Sequence, residues 1–216
     1  MLKRYLPMFG LMSLLPLAQA DIIYTFDQGG SCCGTGIFAT LSLHAVNANT
    51  VEVTETLSAG NVYAFTGTGR TLEFNIDKPF TIVDGTLTAG FSLSGADSPS
   101  PFPNFTSSII CTAPCIYGNG TSAPEFLGPL SFQVTNAGGL TPADFVSSTG
   151  GIFFTSDIGV PTTGGRFSTG NVAASIGIET RGAPPPDVPE PSTILLYASG
   201  MGAVVLLRKQ IARQRG

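Results

Sequence analysis

Ile37-Phe38-Ala39-Thr40-Leu41-Ser42-Leu43-His44-Ala45, followed five residues later by Val51-Glu52-Val53-Thr54-Glu55-Thr56-Leu57, decides the fold class. In the first run Ile37, Ala39, Leu41, Leu43 and Ala45 fall on one face. Thr40, Ser42 and His44 fall on the other, with Phe38 the exception. In the second run Val51, Val53 and Leu57 share a face and Glu52 lies opposite. A period of two marks half-buried strands, and Thr, Val, Ile and Phe are the residues strands favour.

Working outward, the same pattern recurs from Asp21 to about Glu179. Ile22–Phe26 reads as a strand before it. Val62–Thr66, Thr71–Ile76, Phe80–Val83 and Thr86–Leu93 read as strands after it. Asp84-Gly85 between the last two is a hairpin signal. Asp97–Pro103 holds three prolines and reads as a surface loop. Strands resume around Phe105–Cys111, Phe126–Val134, Gly151–Thr155 and Asn171–Glu179. Thr141-Pro142-Ala143-Asp144 predicts one short helical turn to Val146, with Thr141 as its N-cap. Gly29-Gly30, Gly138-Gly139, Gly150-Gly151 and Gly164-Gly165 read as turns. Close-spaced short strands predict an all-β domain over residues 21–180, an antiparallel β-sandwich of jelly-roll type or a barrel.

Composition agrees. Charged residues are 11% and hydrophobic ones 43% of the 216 residues, and 27 Gly with 16 Pro disfavour long helices. Between Asp21 and Asp187 four basic residues face thirteen acidic ones, a net of −9. So acidic a domain is repelled by phosphate backbones, which argues against nucleic-acid binding.

Residues 1–20 read as a secretory signal helix. Lys3 and Arg4 precede the uncharged stretch Leu6–Leu17, and Ala18-Gln19-Ala20 gives the small-x-small pattern. Cleavage after Ala20 makes Asp21 the mature N-terminus, with the general secretion machinery as the route. Export puts Cys32, Cys33, Cys111 and Cys115 in an oxidising compartment, where an even count reads as disulfides. A bridge between the neighbours Cys32 and Cys33 is disfavoured. Two long-range bridges between Cys32/Cys33 and Cys111/Cys115 are expected, and a four-thiolate zinc site is the weaker alternative.

No catalytic set stands out. His44 is the single histidine and lies on an outward face. No Gly-x-Ser-x-Gly elbow accompanies it. Glu52, Glu55, Glu73, Asp77 and Asp84 read as solvated strand faces. Asp27, Asp97, Asp144 and Asp157 lack a calcium-loop spacing. The absent Trp and the 15 Phe speak for core rather than a sugar platform. Asn104-Phe105-Thr106 and Asn119-Gly120-Thr121 match the N-glycosylation pattern. No catalytic, cofactor or metal residue is assigned.

At the C-terminus Pro184-Pro185-Pro186 opens a spacer over residues 181–187, extended by composition. Val188-Pro189-Glu190-Pro191-Ser192-Thr193 follows, then the apolar run Ile194–Leu207, then Arg208, Lys209, Arg213 and Arg215. Motif, hydrophobic helix and basic tail, over 188–213, resemble the PEP-CTERM sorting signal. The resemblance implies export by an exopolysaccharide-producing Gram-negative bacterium. It implies recognition and cleavage by an exosortase, an integral-membrane cysteine protease, and passage from the inner membrane to the cell surface or extracellular matrix. The arginines and lysine would stop transfer. Fourteen apolar residues span about 21 Å as a helix, short of a roughly 30 Å hydrocarbon core. Temporary tenure suits that length better than a lasting anchor. A non-enzymatic surface or matrix protein is therefore expected. The alternative is a carbohydrate-binding or adhesin module held at the membrane, with extracellular polysaccharide as partner.

Overall fold

The computed structural model describes residues 21–30, 32–66, 70–112, 115–117, 127–175 and 177–180. The signal segment, the spacer and the sorting signal lie outside the described residues. Among the described residues no helix is long and apolar enough to cross a membrane. The chain divides into two units, Met1–Thr180 and Arg181–Gly216, and the strands named below all belong to the first.

The fold is all-β. Its strands are β1 (Asp21–Gly29), β2 (Thr35–Asn47), β3 (Thr50–Leu57), β4 (Val62–Phe65), β5 (Leu72–Phe74), β6 (Thr81–Ile82) and β7 (Phe91–Ser94). They continue with β8 (Ser107–Cys111), β9 (Ile116–Tyr117), β10 (Leu130–Thr135), β11 (Phe154–Pro161), β12 (Phe167–Ala174) and β13 (Gly177–Thr180). Hydrogen bonds run through them in the order β6-β10-β3-β2-β1-β12-β11-β5-β8-β7. The ladders along this path are antiparallel; the short β4–β9 pair beside it is parallel. Pro142–Asp144 forms the expected single turn, of 3-10 type. Asp144 accepts hydrogen bonds from both the N–H and the hydroxyl of Thr141.

Alternation explains the core. Leu41 and Leu43 of β2, Val51 and Val53 of β3, and Phe132 and Val134 of β10 turn to the same interior. Phe74 sits among Phe80, Phe132 and Phe145 with ring centres 5.8–6.0 Å apart. Burying each such side chain contributes about 1.5–3 kcal/mol. Phe38 and Ala39 are both buried, whereas Ile37 is 61% exposed. The β1–β2 register shifts between Phe26 and Gln28, close to this break in the alternation.

Asp84-Gly85 does turn the chain, with Gly85 at φ +74°, but it makes no hairpin. β6 and β7 lie at opposite ends of the sheet path. Val83 N–H donates to Gln133 O and Thr88 N–H to Ser131 O, both at 2.9 Å. Gln133 N–H and Ser131 N–H donate to the hydroxyls of Thr86 and Thr88. The stretch after the turn thus keeps following β10, with threonine hydroxyls standing in for carbonyls. It then crosses to β8 as β7. One segment supplies both edges, so the sheet curls back nearly onto itself.

The expected long-range disulfides do not form. Cys32 bonds to Cys33, and Cys111 bonds to Cys115. Position accounts for the missing Cys32–Cys111 bridge. Cys32 sits on β12, where a Cβ at Gly170 would come within 2.8 Å of its sulfur. Cys111 ends β8, three places along the path from β12. Three strand spacings are roughly 14 Å, and a disulfide needs Cα atoms within about 7 Å.

Candidate functional site

β5, β11 and β12 lie side by side, and their two faces differ. Phe154, Ser156 and Ile158 of β11 alternate with Thr155 and Asp157. Phe154 turns inward to Tyr24 and Phe145. Thr155 pairs in register with Glu73 of β5 and Ala173 of β12; Asp157 pairs with Asn171. Glu73, Thr155, Asp157 and Asn171 therefore share the outer face. It is buried nonetheless, because the Asp97–Phe105 segment covers it. Phe105 and Phe102 pack on Ile152 and Ala173. Asp97 and Phe105 bridge to each other, and Asn171 Nδ2 donates to Ser100 O.

Glu73 and Asp157 are fully buried. Thr155 Oγ1 donates to Glu73 Oε2. The N–H and hydroxyl of Thr66, just past β4, donate to Asp157 Oδ2 at 2.6 and 2.7 Å. Arg70, just before β5, pairs with Asp97 at 2.9 Å. Burial pushes the Glu73 carboxyl up to about 8, helped by the charges of Asp97 and Asp157 and opposed by the Thr155 hydroxyl. Burial pushes Asp157 up to about 6 against the two Thr66 donors. Among the described residues, Glu73 Oε1, Asp157 Oδ1 and Asn171 Oδ1 are buried without a hydrogen-bond partner.

A second acid lies inside the sheet. Glu55 follows Val51 and Val53 in phase on β3, across from Leu41 and Leu130. Burial pushes its carboxyl up to about 8; the nearby Ser156 and Tyr63 hydroxyls pull the other way. Those hydroxyls are committed elsewhere. Tyr63 donates to the backbone carbonyl of Glu55, and Ser156 donates to Thr71 O. Among the described residues, both carboxyl oxygens of Glu55 are left without a hydrogen-bond partner.

Reading Glu55 and Glu73 as solvated is thus overturned. Glu55 was legible, being in phase with the apolar face. Glu73 was not, since it alternates against Leu72 and Phe74 and only the covering segment hides it. His44 is exposed as expected, and its Nδ1 lies 2.6 Å from Asp21 Oδ1. Asp21 opens β1. Ala18, Ala20, Val188–Ser192 and the basic tail fall outside the described residues. Among those described, no three His, Cys, Asp or Glu side chains gather as a metal set. Comparison with protein-family models, with curated proteins and with solved structures gives no match.

Proposed function

We propose that this chain is an exported, non-enzymatic surface or matrix protein, sorted and processed by an exosortase through a PEP-CTERM signal. The observation that carries the proposal is the ordered stretch of Val188-Pro189-Glu190-Pro191-Ser192, an apolar run and Arg208, Lys209, Arg213 and Arg215. Two prolines in the motif disfavour helix and sheet by composition, which suits a protease cleft. The basic tail holds the cytoplasmic end while the motif is read.

The folded unit supports this reading. Its two disulfides suit an oxidising compartment. The carboxyls that burial raises, Glu55, Glu73 and Asp157, have no exposed surface, so a substrate in solvent cannot touch them. Its curled sheet is read as a flattened, jelly-roll-like sandwich, a common form for exported domains. The inner membrane is a waypoint, and extracellular polysaccharide surrounds the product.

The test replaces Pro189, Glu190 and Pro191 with Ala in the producing cell and follows mature mass and location. The expected result is an uncleaved chain retained in the inner membrane. Unchanged processing would overturn the exosortase reading.

A further inference from the structure

The neighbours Cys32 and Cys33 sit in a seat that glycines make for them. Gly29 ends β1, and Gly30 leads towards Cys32-Cys33-Gly34. A Cβ at Gly29 would stand 2.6 Å from Gly34 O, and one at Gly30 would stand 2.8 Å from Asn171 O. A Cβ at Gly170 of β12 would meet Cys32 Sγ at 2.8 Å. Gly34, at φ +68°, carries the chain back towards β2. Gly30 N–H donates to Asn171 O at 2.9 Å, and Ser168 Oγ donates to Cys32 O at 2.9 Å. The bonded pair is thereby pinned to β12.

A staple this short holds nothing distant together. Chain-entropy stabilisation by a disulfide grows with the loop it closes, and Cys32–Cys33 closes only its own peptide link. Its Cα atoms stand 3.7 Å apart, below the roughly 4.4–6.8 Å usual for a disulfide, and bonds outside that range are more reducible. Both residues are half-buried, so solvent reaches them. Cys111 and Cys115 differ on each count. Their Cα atoms are 6.2 Å apart. They are 4% and 9% exposed, and the Cys111 N–H donates to the buried Thr71 hydroxyl.

We propose that Cys32–Cys33 is a reversible thiol-exchange site, opened by small thiols or dithiols while Cys111–Cys115 stays closed. A thiolate attacks one sulfur of the pair and forms a mixed disulfide. The Cys32–Cys33 bond breaks, and its electron pair leaves on the other cysteine, which takes a proton. A second thiolate attacks the reductant's sulfur in the mixed disulfide and frees the remaining cysteine, which is protonated in turn. Two thiols become one disulfide, and the protein gains two thiols. The open pair no longer has to press Cys32 against Gly170. The link so loosened joins β1 to β12, held here by Gln28 opposite Ala173, Gly29 opposite Val172 and the Gly30 hydrogen bond to Asn171. Asn171 Nδ2 also donates to Ser100 O, so the covering Asp97–Phe105 segment is next in line.

The test equilibrates the oxidised full chain with rising ratios of reduced to oxidised dithiothreitol at fixed pH. Free thiols are then trapped with an alkylating reagent and located by peptide mass mapping. Cys32 and Cys33 should be half-trapped at a ratio at least about tenfold below that needed for Cys111 and Cys115. Gly170→Ala crowds Cys32 Sγ, so it should lower the ratio for Cys32–Cys33 further and leave that for Cys111–Cys115 in place. An unchanged ratio in Gly170→Ala would overturn the part assigned to the seat on β12. If Gly170→Ala does not fold, the unsubstituted chain decides alone. Both pairs opening together, Cys111–Cys115 opening first, or a mapped bridge from Cys32 or Cys33 to Cys111 or Cys115 would overturn the proposal.

Discussion

The two faces of β11 bury their side chains by different rules. Inside, Phe154 packs on Tyr24 and Phe145, and shape governs. Outside, Thr155 and Asp157 lie under the Asp97–Phe105 segment, and hydrogen bonds and charge govern. An interior cavity costs whatever contacts are lost. A missing outer partner costs the desolvation of the group it leaves behind. Glu55 breaks the division: it is an acid placed by the interior rule with no outer-face partners.

Four substitutions probe that contrast by chemical denaturation. Phe74→Ala should cost most, about 3–5 kcal/mol, because three aromatic neighbours cannot close over the gap. A smaller loss would mean the interior is loosely packed. Thr155→Val keeps volume and removes only the donor to Glu73 Oε2. It should cost about 1–3 kcal/mol; a neutral result would put the outer face under the interior rule.

Glu55 supplies a pH test. Its carboxyl rises from 4.5 in the unfolded chain to about 8 when folded. The folded state thus holds a proton that the unfolded chain gives up. Stability from this group is full below pH 4.5, declines as pH rises towards 8, and is level above that. Within the window Glu55 alone should weaken the folding equilibrium by up to tenfold per pH unit. Glu73 is raised over the same window, so Glu55→Gln should remove about half of the measured decline and leave the rest. An unchanged slope would assign it to other groups. The smallest effect belongs to Ile37→Thr. Its side chain is 61% exposed, so stability should move by no more than about 0.5 kcal/mol.

Much of the fold was legible because alternation is a local signal. The β2 and β3 runs place Leu41, Leu43, Val51 and Val53 inward as their spacing predicts. Thr141 and Asp144 announced their turn. What failed depended on distant partners. Asp84-Gly85 has hairpin chemistry, yet Thr86 and Thr88 find β10 backbone to bond, and that strand lies over forty residues later in the chain. The cysteine pairing required knowing that β12 and β8 stand three places apart. The outer layer was hidden for the same reason. Nothing near Glu73 in sequence signals that Phe105 will cover its face. The sorting stretch belongs to another kind of legibility, since its order of motif, apolar run and charge is read linearly and owes nothing to this sheet.

β13 pairs with the start of β1, with Asp21 directly across from Thr180. The chain enters and leaves the fold at one corner. A pull applied between those two points would load the rungs of this short ladder in turn, not all together. Each rung then yields alone, as in opening a zip. The corner is the mechanically soft place of the domain, and β13 would peel away while the curled sheet behind it stays closed.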